Sequence, residues 1–344
     1  MHDTLTAADL RFTPPDIEPA EARRCLRRHW RMDGELKRLV GERDQNFRVT
    51  AEDGRRYVLK ISSPIEDPLL VDFQAGALQH VEREDPGLPV PRVVPSREGR
   101  PIESVEAGGA THAVRLLTYV PGVPWVSLDS GVPLDGVRRV GRLQGRLCRA
   151  LVGFSHPAET HFMPWDTLNG LVESEVLRRD FLPDALKPAC EKHLERLERD
   201  SLPRMRELPA QVIHNDAHTG NVLCDPADPA RVTGIIDFGD LVRRPILVDI
   251  ATSLASFIGH TDDPPAVCGA LVRGFEEQLP LPDEQRALLL DAVIARALLT
   301  VELLAFRVEK TDAPATLRTE DVPESIVSLA NALALDPDVF LASR

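Results

Sequence analysis

The feature that most constrains this chain is residues 211–240, where two short apolar runs each end in acidic or amide side chains. Val212 and Ile213 form the first run, and residues 234–236 form the second. The connection between them contains two prolines and other turn-forming residues, which favours strand, turn and strand rather than a helix. The pattern predicts two short buried strands that deliver polar side chains to one place.

The spacing of three polar residues in this stretch indicates a chemistry. Asp216 stands five residues before Asn221, and Asp237 opens an Asp-Phe-Gly sequence directly after the second apolar run. Protein kinases combine this Asp-to-Asn interval with a separate Asp-Phe-Gly that binds metal. Phosphoryl transfer needs such groups because Mg²⁺ must bridge polyphosphate oxygens while a carboxylate orients and deprotonates the attacking hydroxyl.

A metallohydrolase is an alternative interpretation of the same stretch. His214, Asp216 and His218 form a His-x-Asp-x-His cluster that could hold Zn²⁺, with Asp237 as a further ligand. A single Asp in a loop is also more often a turn or helix-cap residue than a catalyst. The metallohydrolase interpretation leaves Asn221 and the N-terminal third of the chain without a role.

Composition narrows the class of protein. The 344 residues suit two lobes, and 43% hydrophobic with 28% charged residues is ordinary for a globular enzyme. A net charge of −13 argues against a nucleic-acid or membrane-surface binder and is compatible with a cationic substrate. The five cysteines show no paired spacing, and the sequence shows no signal peptide or membrane span. We expect a cytoplasmic monomer or homodimer.

The N-terminal third predicts a small antiparallel sheet. Alternating apolar residues flank an Asp-Gly turn, which is typical of a β-hairpin and places Lys60 on the third strand. Nucleotide kinases keep there the lysine that binds the α- and β-phosphates. The polar loop before the second strand would cover the phosphates, with Asp44, Gln45 and Asn46 as its contributing residues.

A helix is predicted next, over residues 68–81, from apolar residues at helical spacing. It should point one polar side chain at Lys60. Gln74 is the best-placed candidate, with Asp72 or Asp67 as alternatives. A neutral Gln accepts a hydrogen bond without the charge assistance that a Glu would supply.

Residues 112–120 predict an apolar strand that runs into a Pro-Gly turn, a pattern that suits a hinge between lobes. In a kinase the backbone near Leu117 and Tyr119 would hydrogen-bond the nucleotide base.

The C-terminal part predicts helices. Residues 173–199 should form a charged helix pair broken near two prolines, and residues 310–322 a polar loop. Asp249, inside a buried helix, should brace the catalytic loop by hydrogen bonds. Arg296 and Glu302 lie off an apolar stripe and are expected to be surface or salt-bridge residues.

These motifs resemble a known family. The sequences HNDAHTGN, IIDFGD and RLLTYVPG, together with Lys60, are similar to those of the aminoglycoside phosphotransferase and choline kinase superfamily. GERDQNFRV, the Gln in the helix after Lys60 and RVTGIIDFGD resemble hydroxylysine kinase and its related phosphotransferases. The resemblance covers residues 30–310, and it is specific for the fold and less so for the substrate.

The resemblance implies a two-lobed, protein-kinase-like α+β fold. Residues 1–118 would form a small antiparallel-sheet lobe that binds the nucleotide, and residues 119–344 a larger, mostly helical catalytic and substrate-binding lobe. Asp216 would be the catalytic base, and Asn221 and Asp237 the Mg²⁺ ligands.

The resemblance also implies ATP or GTP as donor and an amino alcohol or hydroxylated amino acid as acceptor. Aminoglycoside, homoserine or choline-type acceptors are the alternatives, and an inactive nucleotide-binding module is the alternative outside the enzymes. A cationic acceptor would need carboxylates near the base, and Asp240, Asp166 and Glu302 are candidates. Trp165 or Trp125 would stack on an ammonium group.

Overall fold

A computed structural model describes residues 14–128, 133–169, 182–310 and 321–341. The chain divides into two compact units, and among the described residues the first change of unit falls between Val120 and Pro121. The smaller unit contains the described residues up to Val120 together with His156–Ala158. The larger unit contains the remaining described residues.

The smaller unit is built on a five-stranded antiparallel sheet with strand order β1-β2-β3-β5-β4. Its strands are Gly34–Leu39 (β1), Gln45–Ala51 (β2), Arg56–Ile61 (β3), Glu103–Ala107 (β4) and Ala110–Thr118 (β5). Its helices are Pro19–Trp30 (α1) and Pro68–Glu84 (α2). Lys60 lies on β3, the third strand, as the hairpin pattern predicts.

The two faces of this sheet differ in chemistry because side chains alternate along a strand. One face supplies Leu59 and Leu116 to an apolar core that also contains Leu26 of α1. The opposite face carries Lys60 and Arg115, which are directly paired across β3 and β5.

The larger unit is mostly helical. Its helices are Leu134–Ala150 (α3), Lys187–Arg196 (α4), Leu202–Glu207 (α5), Ile246–Phe257 (α6), Pro264–Glu276 (α7), Asp283–Ala287 (α8), Leu289–Lys310 (α9), Asp321–Ala334 (α10) and Asp338–Leu341 (α11). Helix α3 packs on α7, and α9 packs on α6 and α10. Together with the sheet of the smaller unit, these helices confirm the predicted α+β class.

Two small sheets position the polar loops of the larger unit. Their strands are Val123–Pro124 (β6), Gln211–Ile213 (β7), Val222–Asp225 (β8), Asp228–Ile235 (β9) and Val242–Arg244 (β10). Strand β7 pairs with β10, and β8 pairs with both β6 and β9. Because Val242 of β10 pairs with Ile213 of β7, the loop that follows β9 ends beside the start of the loop that follows β7, and the polar residues after both strands lie in one region, as the sequence pattern predicts.

Parts of the predicted helical pattern differ from the structure. The predicted interruption near Pro183 and Pro188 is present in the described part: the chain is not helical at Pro183, and α4 begins at Lys187 with Pro188 in its first turn, where proline is tolerated. Arg296 and Glu302 are 5% and 3% exposed, so the expectation of surface positions is wrong. The predictions for residues 173–181 and 311–320 lie outside the described residues.

Every cysteine of the chain is buried and free of disulfide bonds in the structure. Burial raises the pKa of Cys25 and of Cys268 to about 12. Within the described parts of the chain, no helix combines the length and the hydropathy needed to cross a membrane.

Candidate active site

The residue before Asp216 has a strained backbone that is held on both sides. Asn215 has φ 63°, a left-handed value that non-glycine residues adopt infrequently. Its N–H donates to Asp249 Oδ1 at 2.6 Å, and its C=O accepts from Arg296 Nη1 at 3.3 Å. All three residues are buried. Charged side chains from α6 and α9 therefore fix the peptide groups that aim Asp216.

Asp249 is the centre of a buried network in the larger unit. Its Oδ2 accepts from Gln144 Nε2 at 3.1 Å and from the Cys148 thiol at 3.2 Å. Burial and the neighbouring Asp249 charge raise the pKa of Cys148 well above its usual value, so the thiol stays a donor. The prediction that Asp249 braces the loop through a backbone N–H is confirmed by its bond to Asn215.

Asp216 and Asn221 are in direct contact. Asn221 Nδ2 donates to Asp216 Oδ2 at 2.6 Å and to the Asp216 carbonyl at 3.0 Å. Because the amide nitrogen is engaged in this way, Asn221 Oδ1 is the atom that a cation would bind. Arg296 Nη2 lies 3.7 Å from Asp216 Oδ1, so each carboxylate oxygen has a different neighbour.

The Asp-Phe-Gly loop is tied to the same region by its backbone. Ile236 N–H donates to the Asn221 carbonyl at 3.0 Å, which brings the next residue, Asp237, close to Asn221. Asp237 is exposed with φ 65°, and its Oδ1 accepts from Gly239 N–H at 3.2 Å. A carboxylate and an amide oxygen are the ligands that Mg²⁺ prefers, so these two residues fit the predicted ion.

The two histidines of the loop use their Nδ1 atoms locally. His214 Nδ1 accepts from Asp216 N–H at 3.2 Å, and His218 Nδ1 accepts from Gly220 N–H at 3.0 Å. Neutral His218 therefore carries its proton on Nε2, which lies 3.7 Å from Asp216 Oδ2. Partial burial, followed by the charge of Arg296, lowers the pKa of His218 below its usual value.

The Zn²⁺ cluster of the alternative interpretation does not assemble. Among the described residues, no three His, Cys, Asp or Glu side chains are grouped so that they could hold a metal ion. His214 is fully buried and packs edge-on against Phe238, with ring centroids 4.8 Å apart. Burial lowers the pKa of His214 although nearby carboxylates oppose the shift. His214 is therefore a packing residue of the loop.

Arg296 is a residue that the sequence reading missed. Its guanidinium bonds the Trp165 and Asn215 carbonyls, the first at 2.9 Å, and lies beside Asp216. Burial lowers the pKa of Arg296, and Asp216 is the leading charge that opposes this. An arginine nevertheless keeps its charge in proteins. No local sequence signal marks Arg296, because α9 also carries other charged residues such as Asp291 and Arg307.

Replacing Arg296 by Gln is expected to lower kcat by about tenfold or more, because Asp216 loses its charged neighbour and Asn215 loses a carbonyl donor. Lys at this position should recover part of kcat, since it keeps the charge but not the fork of donors. Steady-state kinetics with melting curves would test this. Arg204→Gln, at an exposed position in the same unit, is the control. Equal kcat in Arg296→Gln and the control would contradict the assignment.

The candidates for acceptor binding are placed differently from one another. Asp166 is 2% exposed and accepts a hydrogen bond from Arg244 Nε at 2.9 Å, so the charge of its carboxylate is already neutralised. Trp165 lies under two guanidinium groups, those of Arg296 and Arg307, at 5.5 and 5.2 Å from the ring centroid. Asp240 is 7% exposed.

Two further candidates are buried. Trp125 is 3% exposed against Phe257, and Glu302 is also 3% exposed. Burial therefore argues against the stacking role suggested for Trp125. The acceptor-binding roles of Asp240, Asp166 and Trp165 stay predictions.

In the smaller unit, Lys60 pairs with a residue of the loop that precedes β2. Lys60 Nζ lies 3.3 Å from Asp44 Oδ2. Gln74 Oε1 accepts a hydrogen bond from Arg115 Nη1. The contact between helix α2 and Lys60 stays a prediction, and the partners that the structure shows, Asp44 for the lysine and Arg115 for the glutamine, were not foreseen from the sequence.

The other predicted nucleotide-binding residues have defined positions. The Gln45 side chain is buried and forms two bonds with the Ile17 backbone, so its side chain holds the fold together. Asn46 pairs with Lys60 across β2 and β3. Leu117 pairs with Val58, and Tyr119 N–H donates to Arg56. Their contacts with a nucleotide stay predictions.

A comparison with known proteins agrees with this geometry. A model described as "Phosphotransferase enzyme family" matches residues 35–290. Hydroxylysine kinase of Mus musculus is 25% identical over 283 residues, which cover 76% of this chain and 74% of that protein.

Two solved structures show the same fold. A microcompartment-associated aminopropanol kinase has a TM-score of 0.68 at 22% identity, covering 95% of this chain and 98% of its own. An amicoumacin kinase in complex with AMP-PNP, Ca²⁺ and Ami has a TM-score of 0.66 at 15% identity, covering 95% of this chain and 94% of its own. The family match spans well over half of the sequence. The chain belongs to the phosphotransferase enzyme family.

Proposed function

We propose that this chain is a small-molecule kinase that transfers the γ-phosphoryl group of ATP or GTP to a hydroxyl group. The observation that carries this proposal is the contact of Asp216 with Asn221 in a loop held by Asp249 and Arg296. A base must have a fixed direction to meet one hydroxyl, and this loop provides it. The family match supports the same reaction class.

In the proposed reaction, Asp216 accepts the hydroxyl proton as the acceptor oxygen forms its bond to the γ-phosphorus. The bond from that phosphorus to the β–γ bridging oxygen breaks, and the nucleoside diphosphate leaves with those electrons. Asn221 and Asp237 would hold Mg²⁺, which supplies charge compensation for the phosphate oxygens. Lys60 would bind the phosphates.

We further propose that the acceptor is an amino alcohol or a hydroxylated amino acid. Hydroxylysine and aminopropanol, named in one relative and one structural neighbour, both combine an amine with a hydroxyl group. The net charge of −13 suits such a cation. Asp240 is the carboxylate that we propose for the ammonium group, because it follows Asp-Phe-Gly directly and so shares a loop with Asp237.

A substrate panel tests the function. The purified chain with Mg²⁺ is given ATP or GTP and, separately, hydroxylysine, aminopropanol, homoserine, choline and an aminoglycoside, and nucleoside diphosphate release is measured. We expect acceptor-dependent release with the first two compounds. Release with none of the acceptors would overturn the kinase proposal and favour a nucleotide-binding module. Release with an aminoglycoside alone would overturn the acceptor class.

A further inference from the structure

Two cations in the smaller unit share one carboxylate oxygen. Lys60 Nζ and Arg115 Nη2 lie 3.3 and 3.2 Å from Asp44 Oδ2. Arg115 also donates from Nη2 to Ser62 Oγ at 3.2 Å and from Nη1 to Gln74 Oε1. With a side chain 3% exposed, Arg115 is fixed by residues from three separate segments.

The arrangement needs Asp44 on electrostatic grounds. Lys60 and Arg115 are direct cross-strand partners on one sheet face, and like charges at such a pair are destabilising. Asp44 offsets that repulsion because it bonds to both. Gly41 allows the loop to bring Asp44 there, since a Cβ at this position would lie 2.2 Å from the Asp44 carbonyl oxygen.

The side chain that α2 contributes, Gln74, is neutral, and this limits the number of carboxylates beside Lys60 and Arg115. A glutamate at position 74 would add a second carboxylate to Asp44 and cancel the two cations. Gln74 instead accepts a hydrogen bond from Arg115 without adding a second carboxylate that would compete with Asp44 for Lys60.

We propose that Arg115 is a positioning residue for the phosphate-binding lysine: anchored by Gln74 on α2, it holds Asp44, and Asp44 holds Lys60. A series of contacts from Gln74 through Arg115 and Asp44 thus positions Lys60. A direct carboxylate-to-lysine pair would position the lysine with two residues. This inference rests on the proposed function, since it assigns Lys60 to nucleotide phosphates. It adds a residue, Arg115, to that site.

Binding of Mg·ATP and Mg·GTP to the full chain, measured by calorimetry without any acceptor, tests the proposal. Arg115→Met should weaken binding of the preferred nucleotide about tenfold or more. Asp44→Asn should weaken it similarly, and the double variant should be no weaker than the poorer single variant, because both act through one pathway. Arg38→Met, an exposed arginine on β1, is the matched control and should bind as the native chain does.

A rescue variant separates positioning from simple support of the fold. In Gln74→Glu with Arg115→Met and Asp44→Asn, the new carboxylate replaces Asp44 as the partner of Lys60, and binding should return to within about threefold of native. If Arg115 only stabilised the fold, a glutamate at position 74 would not restore nucleotide binding to a variant with methionine at position 115. If Arg115→Met does not fold, Asp44→Asn on the partly exposed loop carries the test.

The outcomes separate this inference from the proposed function. A native chain that binds neither nucleotide overturns both. If the native chain binds and Arg115→Met binds equally well, the inference alone is overturned. Tighter binding by Asp44→Asn would also overturn it, because Asp44 would then compete with the phosphates for Lys60. Absence of rescue would show that Arg115 does not replace a carboxylate from α2.

Discussion

Replacing Asp216 by asparagine is expected to lower kcat by about 10²- to 10⁴-fold, the usual contribution of a general base. The variant keeps the size of the side chain but cannot accept the proton. Its amide would also meet donors from Asn221 and Arg296, so a small loss of stability is expected as well. Turnover with the acceptor identified by the panel gives the rate, and nucleotide calorimetry shows that the donor site is intact.

Asp262→Asn is the control for this prediction because Asp262 is exposed in the same unit. We expect the control to match the native chain in kcat and in nucleotide affinity. Near-native turnover in Asp216→Asn would show that another group removes the proton. His218, whose Nε2 lies 3.7 Å from Asp216, would then be the next residue to replace.

Asp249→Asn is expected to lower the free energy of unfolding by about 2–4 kcal/mol. The carboxylate accepts from three buried donors, those of Asn215, Gln144 and Cys148. An amide in its place can satisfy the Asn215 N–H but turns its own NH₂ group toward another donor. The strained Asn215 backbone would also lose a charged acceptor, so kcat should fall as well. Urea unfolding followed by circular dichroism measures the stability.

Asp228→Asn provides the comparison for stability, since Asp228 is exposed in β9. Its unfolding midpoint should stay at the native value. An Asp249→Asn variant as stable as this control would contradict the role of the buried network. Loss of activity without loss of stability would instead limit Asp249 to aiming the loop.

The fold of the smaller unit was predictable because its signals are local. An Asp-Gly turn between alternating strands sets the register of β2 and β3, and that register places Lys60. The interval from Asp216 to Asn221 is local too, and the structure brings those two residues into contact. The turnover of the Asp216→Asn variant tests whether they perform the predicted reaction.

The partners of these residues were not predictable in the same way. Asp44 and Arg115 are 71 residues apart, and Arg296 and Asn215 are 81 residues apart. Nothing in the local pattern of α9 shows that Arg296 turns inward, because an arginine on an apolar helix is ordinarily at the surface. Gln74 was placed on the correct helix, but its bond to Arg115 depends on which strands pair.

The burial of all five cysteines makes this chain suitable for site-selective fluorescent labelling. Thiol reagents attack the thiolate, and a buried thiol with a raised pKa supplies little of it. A single cysteine introduced at Val40, which is 78% exposed and adjoins the loop that carries Asp44, would therefore be labelled over a low background. A dye at that position would report directly on whether the loop rearranges when Mg·ATP or Mg·GTP is added.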